Sequence, residues 1–111
     1  SKQCHPRQRY HGTVYRGIQL KQQLITKYAR GTVFFWPGFT SSSQSKAKAL
    51  NFGNCLFEIQ IPRRFAYSCA DIESLSAYQS EKEVLIQPYC SYRVLQNEYN
   101  QQLGKYIIKL I

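Results

Sequence analysis

The sequence predicts an α+β fold in which strands dominate, and three observations support this. Short runs of β-branched and aromatic residues recur along the chain, several of them bounded by glycine or proline. Helical spacing of apolar residues is confined to the first half of the chain. At 111 residues, the chain can bury one hydrophobic core. We therefore expect a single domain over residues 1–111, in which residues 1–12 form a polar, basic lead-in.

The first half of the chain predicts two strands on either side of an amphipathic helix. Residues 13–17, TVYRG, have the composition of a strand that ends at glycine. Over residues 18–30 the apolar side chains fall on one helical face and the basic ones on the other, and Gly31 provides a stop. Residues 32–36, TVFFW, predict the second strand. A proline-glycine pair breaks that strand, and the serines at 41–43 then predict a hydroxyl-rich turn.

The second half predicts one short helix followed by strands. Two alanines and a leucine suit a short helix over residues 44–52. The clearest strand covers residues 55–61, where apolar and polar side chains alternate until a proline. Residues 70–80 have the composition of a loop. The remaining apolar runs predict strands at 84–86, 92–95 and 106–111.

The formal charge of +9 attracts anionic partners, but the basic residues are spread along the chain. A solvated basic surface is favoured over a dedicated nucleic-acid-binding face, so nucleic acid is not the expected partner. The alternative of that class is a basic β module that stacks bases on Tyr10, Tyr15 and Tyr92. No apolar run approaches the roughly 20 residues that cross a bilayer, so we expect no membrane span.

The four cysteines, at positions 4, 55, 69 and 90, leave their redox state open. They form no Cys-x-x-Cys pair and no histidine lies at ligand spacing, so no metal site is expected. Two disulfides and four buried thiols are both compatible with the sequence. The even count slightly favours a secreted or cell-surface setting over a cytoplasmic one, without identifying the compartment.

Three polar groups lie at the ends of predicted strands, where a rigid sheet commonly presents functional side chains. They are Arg16, the serine run at 41–43, and the pair Glu81 and Glu83. In this order they resemble the arginine-serine-glutamate signature of the mono-ADP-ribosyltransferases related to vertebrate ecto-enzymes and clostridial binary toxins. The resemblance covers residues 13–94, and its motifs are VYRG at 14–17, FWPGFTSSS at 35–43 and EKEVLI at 81–86.

The resemblance implies an ADP-ribosyltransferase-like fold with two packed sheets and few helices. It also implies transfer of ADP-ribose from NAD+ to a protein arginine, with release of nicotinamide. NAD+ is then a substrate, and no permanently bound cofactor is expected. The closest alternative is an NAD glycohydrolase, in which water accepts the ADP-ribose at the same site. Many relatives carry a helical region before the arginine strand, so this chain is a minimal version or lacks that region.

The resemblance assigns catalytic roles to three residues. Glu83 stabilises the positive, oxocarbenium-like charge that develops on the ribose as its bond to nicotinamide breaks. Glu81 shares a face of the extended segment with Glu83 and receives the guanidinium of the acceptor, and it is the main reason for expecting arginine. Ser41 hydrogen-bonds Glu83 and holds it toward the ribose.

The resemblance also assigns residues to NAD+ binding, and Ser41 is one of them. Arg16 offers a fixed cationic fork for the diphosphate, and Gly17 lets the backbone approach the nicotinamide amide. Phe52 is expected to stack on the nicotinamide ring. Ser43 contributes to the NAD+ site or caps the turn. The net charge predicts a target arginine on an acidic or neutral protein, or on the enzyme itself.

Overall fold

The computed structural model describes residues 12–62, 83–86 and 88–111. Within these ranges the elements are β1 Gly12–Ile18, α1 Gln22–Ile25, β2 Val33–Phe35, β3 Thr40–Ser43, α2 Lys46–Ala49, β4 Cys55–Ile61, β5 Glu83–Ile86, β6 Ser91–Asn100 and β7 Lys105–Leu110. The predicted strand-dominated α+β class is confirmed. No helix in the described ranges is long and apolar enough to cross a membrane.

The strands form one seven-stranded mixed sheet in the order β2-β6-β7-β4-β1-β3-β5. Neighbouring strands run antiparallel except β4 and β7, which are parallel. β4 lies at the centre, between β1 and β7, and its first three residues, Cys55, Leu56 and Phe57, are at most 1% exposed. A strand that is covered on both faces can be apolar at consecutive positions, which explains why β4 begins with an unbroken apolar run.

One continuous sheet replaces the two packed sheets that the resemblance implied. β6 makes the connection, because its first residues pair with β2 and its later ones with β7, with an irregularity between Val94 and Gln96. The sheet also curls: Val84 and Ile86 of β5 lie in the same buried cluster as Tyr92 and Val94 of β6, although the two strands are far apart in the strand order. A sheet with the usual twist can therefore enclose one core without splitting into two.

The long amphipathic helix expected after β1 is wrong in length, since α1 has four residues. Side chains from distant parts of the chain bind the backbone on both sides of it. Asn54 accepts from the amide of Leu20 at 2.8 Å and donates to its carbonyl at 2.9 Å. The side-chain amide of Asn97 donates to the backbone carbonyls of Ile25 and Tyr28, both at 3.0 Å. These tertiary hydrogen bonds replace the intrahelical ones of a longer helix.

The serines at 41–43 form part of a strand instead of the expected turn. β3 pairs with β5 over its four residues. The buried hydroxyl of Ser42 donates to the carbonyl of Val84 at 2.6 Å, which fastens the two strands together. Serine favours turns when only local sequence is considered. Here a partner strand 42 residues further along the chain decides the conformation.

Cys55 and Cys90 are free thiols, and Cys55 lies in the core. Burial raises the pKa of the Cys55 thiol, while the nearby Lys105 lowers it. The sequence left two disulfides and four buried thiols open, and Cys55 corresponds to the second of these. Cys4 and Cys69 lie outside the described residues.

Candidate functional site

Register across three neighbouring strands brings residues from distant parts of the sequence into one row. Tyr15 of β1 lies opposite Ser43 of β3, and Ser43 lies opposite Glu83 of β5. Residues directly opposite each other on antiparallel strands share a face of the sheet, with Cβ atoms about 5 Å apart. The first, second and third sequence motifs therefore meet on one face.

A cleft of about 340 Å³ opens beside this row. Six of the seven residues expected in the site line it, namely Arg16, Gly17, Ser41, Ser43, Phe52 and Glu83. Tyr15, Ser42, Lys48 and Ala49 also line it. β1 and β3 are joined at the single register pair Tyr15 and Ser43, and both of these residues line the cleft. Glu81, the seventh expected residue, lies outside the described residues.

Arg16 is half-buried, and its guanidinium carbon lies 5.6 Å from the centre of the Trp36 ring. Burial lowers the pKa of Arg16 from its ordinary value, while the nearby Tyr28 and Tyr92 raise it. A guanidinium nevertheless stays protonated at neutral pH. Among the described residues the only ion pair lies elsewhere, between α2 and β4. Within the described ranges, therefore, no carboxylate neutralises Arg16, which lines the cleft.

Gly17 allows β1 and α2 to approach each other closely. A side-chain carbon at this position would lie 2.0 Å from the carbonyl oxygen of Ala49 and 2.8 Å from that of Phe52. Ser45 caps α2 by accepting from the amide of Lys48 at 3.2 Å. Because Gly17 has no side chain, α2 packs on β1 and brings Lys48 and Phe52 to the cleft. The Phe52 side chain is 59% exposed there, so its ring is open to a ligand.

The three serines of the second motif have different surroundings. Ser42 is 5% exposed and its hydroxyl is engaged by β5. The hydroxyl of Ser43 accepts from the amide of Ser45 at 2.9 Å, as the capping alternative predicts, and Ser43 also lines the cleft. Ser41 is exposed in the cleft. No hydrogen bond joins Ser41 to Glu83 within the described ranges, so that bond stays a prediction.

The nucleic-acid alternative required stacking surfaces on three tyrosines. Tyr92 is 5% exposed and stacks on Phe34, with ring centroids 5.4 Å apart, so it has no face open to a base. Tyr15 lines the cleft just described. Tyr10 lies outside the described residues. Of the two tyrosines in this set that the structure describes, Tyr92 is therefore buried and Tyr15 belongs to the cleft.

Sequence reasoning did not assign Tyr15, Lys48 or Trp36 to this site. Tyr15 alternates with core-facing Val14 in the first motif, and that alternation is a signal which could have placed it on the site face. Trp36 belongs to the second motif, but the resemblance assigns roles only to the serines of that motif. Lys48 has no sequence signal, because packing decides which side of α2 faces the cleft.

Comparisons with known proteins agree with the motifs. A family model described as NAD:arginine ADP-ribosyltransferase matches residues 1–110. The chain is 34% identical over 101 residues to the NAD(+)--arginine ADP-ribosyltransferase Vis of Vibrio splendidus (strain 12B01), an alignment that covers 81% of this chain and 39% of Vis. It is 32% identical over 108 residues to the NAD(+)--arginine ADP-ribosyltransferase Mav of Mycobacterium avium (strain 104), which covers 92% of this chain and 12% of Mav.

Solved structures give the same result for the fold. The ADP-ribosyltransferase HopU1 of Pseudomonas syringae pv. Tomato DC3000 matches with a TM-score of 0.73 at 26% identity, over 92% of this chain and 44% of that one. Vis in complex with agmatine matches with a TM-score of 0.70 at 29% identity, over 92% of this chain and 49% of that one. The chain thus spans less than half the length of each of these relatives.

Proposed function

The chain belongs to the NAD:arginine ADP-ribosyltransferase family, and we propose that it transfers ADP-ribose from NAD+ to a protein arginine with release of nicotinamide. The proposal rests on the composition of the cleft. Six residues that the motifs and the resemblance assign to the site, from separate parts of the sequence, line a single cleft. NAD+ enters this proposal as a substrate, and no permanently bound cofactor is invoked.

Glu83 is the proposed catalytic carboxylate. Cleavage of the bond between ribose and nicotinamide builds positive charge on the sugar, and a carboxylate beside it stabilises that charge more in the transition state than in the bound substrate. The position of Glu83 supports this role, because it begins β5, is exposed and lines the cleft. Ser41 and Ser43 line the same cleft and offer hydroxyls that can hold the carboxylate in one orientation.

Arg16, Gly17 and Phe52 are the proposed NAD+-binding residues. Arg16 supplies a half-buried positive charge for the diphosphate, and Lys48 adds a second cation to the lining. Phe52 presents an exposed ring suited to stacking on nicotinamide. Beyond Tyr15, β1 has no β3 partner, so the backbone of Gly17 borders the open cleft and is accessible to the nicotinamide amide.

Arginine as the acceptor depends on Glu81 in this proposal. A carboxylate can receive a guanidinium through paired hydrogen bonds. The same carboxylate assists removal of the guanidinium proton as the bond from nitrogen to ribose forms. Vis has been solved in complex with agmatine, which carries such a guanidinium. That complex supports the same acceptor class for this chain.

An assay with NAD+ and agmatine tests the acceptor. We expect the unaltered chain to release nicotinamide and to modify agmatine in comparable amounts. Glu81→Gln is expected to keep nicotinamide release within roughly tenfold and to lose transfer by about a further hundredfold, because loss of one charge-assisted bidentate pair costs about 2–3 kcal/mol. Mass spectrometry of both products in one reaction measures the ratio. Nicotinamide release without modified agmatine in the unaltered chain would establish the glycohydrolase alternative instead.

The proposed protein target has an acidic or neutral surface around its arginine. The formal charge of +9 repels basic proteins and attracts acidic ones when the surfaces approach within the screening length of about 8 Å at physiological salt. At low salt we expect at least about tenfold faster modification of an acidic protein than of a histone-like basic one, with the difference shrinking near 0.5 M salt. Equal rates for the two proteins at low salt would count against this choice of target.

We also propose that the protein acts outside the cell that makes it. Vis, whose solved structure matches this chain at 29% identity, is named a toxin. Immunodetection of the full-length protein in the medium of the producing organism tests the proposal, and its retention in the cell pellet would contradict it.

A further inference from the structure

Trp36 carries the guanidinium of Arg16 on its ring, at 5.6 Å from the ring centre. The indole is itself fixed by neighbours. It lies edge-on to Phe57 at 5.1 Å and tilted against Tyr92 at 4.9 Å. Its Nε1 donates to the hydroxyl of Tyr28 at 3.3 Å. The ring beside Arg16 is therefore fixed by packing against the core, and Arg16 is also one of the residues that line the cleft.

An aromatic support suits a cation that has to bind an anion. A carboxylate partner would hold Arg16 equally well, but it would cancel much of the positive charge and compete with a diphosphate for the same N–H groups. The face of an indole attracts a cation through its quadrupole and carries no net charge. No carboxylate in the described part of the chain pairs with Arg16, so the indole there supports the guanidinium without cancelling its charge.

We propose that Trp36 is a positioning residue, whose indole face holds Arg16 in the orientation that receives the diphosphate of NAD+. This inference rests on the proposed function, since it assumes that Arg16 binds the dinucleotide. Trp36 touches no reacting atom in this scheme. Substituting Trp36 should therefore change NAD+ affinity and not the rate of bond cleavage, whereas substituting Glu83 should change the rate.

Steady-state kinetics with NAD+ give the first test. Trp36→Leu is expected to raise KM for NAD+ about tenfold and to leave kcat within about twofold, the loss expected for a partly desolvated cation–aromatic contact. Trp36→Phe keeps an aromatic face and is expected to hold KM within about threefold of the unaltered chain. Arg16→Met, which removes the charge itself, sets the upper limit on the KM increase.

Phe34→Leu is the matched control for lost packing. The Phe34 ring contacts Tyr28, Trp36 and Tyr92 at centroid distances of 5.1, 5.2 and 5.4 Å. Its removal disturbs the same cluster but keeps the indole and its contacts with Phe57, Tyr92 and Tyr28. We expect it to lower the melting temperature without changing KM by more than about twofold. Equal KM increases for Phe34→Leu and Trp36→Leu would overturn the proposal. A KM for NAD+ in Trp36→Phe as high as that in Arg16→Met would overturn it as well.

Intrinsic fluorescence tests the same point on the unaltered chain, which contains a single tryptophan. Saturation with ADP-ribose, measured in parallel by calorimetry, is expected to change the emission of Trp36, because a diphosphate then neutralises the cation on its ring. Unchanged emission at saturation overturns the inference and leaves the proposed function standing. Absence of both ADP-ribose binding and NAD+ cleavage in the unaltered chain contradicts the proposed function and the inference together.

Discussion

Replacing Glu83 with glutamine is expected to lower the rate of NAD+ cleavage about a thousandfold while leaving NAD+ affinity within about threefold. Glutamine keeps the shape of the side chain and removes its charge. At roughly 4 Å and an effective dielectric near 20, a carboxylate stabilises a unit positive charge by about 4 kcal/mol, which corresponds to about three orders of magnitude in rate. Glu83 is exposed, begins β5 and lines the cleft, so its substitution should leave the core intact.

Nicotinamide release, followed by chromatography under single-turnover conditions, measures the effect on the chemical step. Glu98→Gln is the matched control, because Glu98 is also an exposed strand glutamate but lies on β6, outside the residues that line this cleft. The control should retain the rate of the unaltered chain within about twofold. Retention of more than a tenth of the rate by Glu83→Gln would show that another group carries the charge stabilisation.

Gly17→Ala is expected to have the largest effect on stability among the site residues. The added carbon would lie 2.0 Å from the carbonyl oxygen of Ala49, far inside normal contact, and backbone atoms cannot rotate away as a flexible side chain can. α2 and β1 would have to separate, which costs about 3 kcal/mol as an overpacked contact. For a domain of this size the melting temperature should fall by roughly 10–20 °C.

Thermal unfolding followed by circular dichroism measures the change, and Gly38→Ala provides the control. A carbon added at Gly38 meets nothing within 4 Å, so the same chemical substitution there should move the melting temperature by no more than about 3 °C. Gly17→Ala should also weaken NAD+ binding, because Phe52 and Lys48 reach the cleft only through the packing of α2 on β1. Equal melting temperatures for the two alanine variants would contradict this account of Gly17.

Local composition predicted several strands correctly. The clearest is β4, whose predicted and observed bounds coincide at Cys55–Ile61, because a mainly apolar run lies between a glycine-asparagine turn and Pro62. β1 was predicted within one residue at each end. Five residues of the motifs, together with Phe52 from the resemblance, line one cleft, because the residue types in a motif reflect the chemistry of a site even where the fold is unknown.

Local composition failed where distant residues supply the hydrogen bonds. The amphipathic pattern after β1 predicted a long helix, yet Asn54 and Asn97 bind the backbone around α1 and end it after four residues. The serine run predicted a turn, yet Ser42 is bonded to β5. In both places the local preference is worth a few tenths of a kcal/mol per residue, and a handful of tertiary hydrogen bonds of about 1 kcal/mol each outweighs it.

The sequence by itself determined the strand-dominated class, the positive charge and the order of the three motifs, because these depend on residue identity and on near neighbours in the chain. Only the tertiary structure decided that Ser43 lies opposite Glu83, that Arg16 lies on the ring of Trp36, and that α2 packs over Gly17. Strand register and helix packing are set by contacts between distant residues. A shift of one residue in β5 would have turned Glu83, the proposed catalytic carboxylate, to the other face of the sheet.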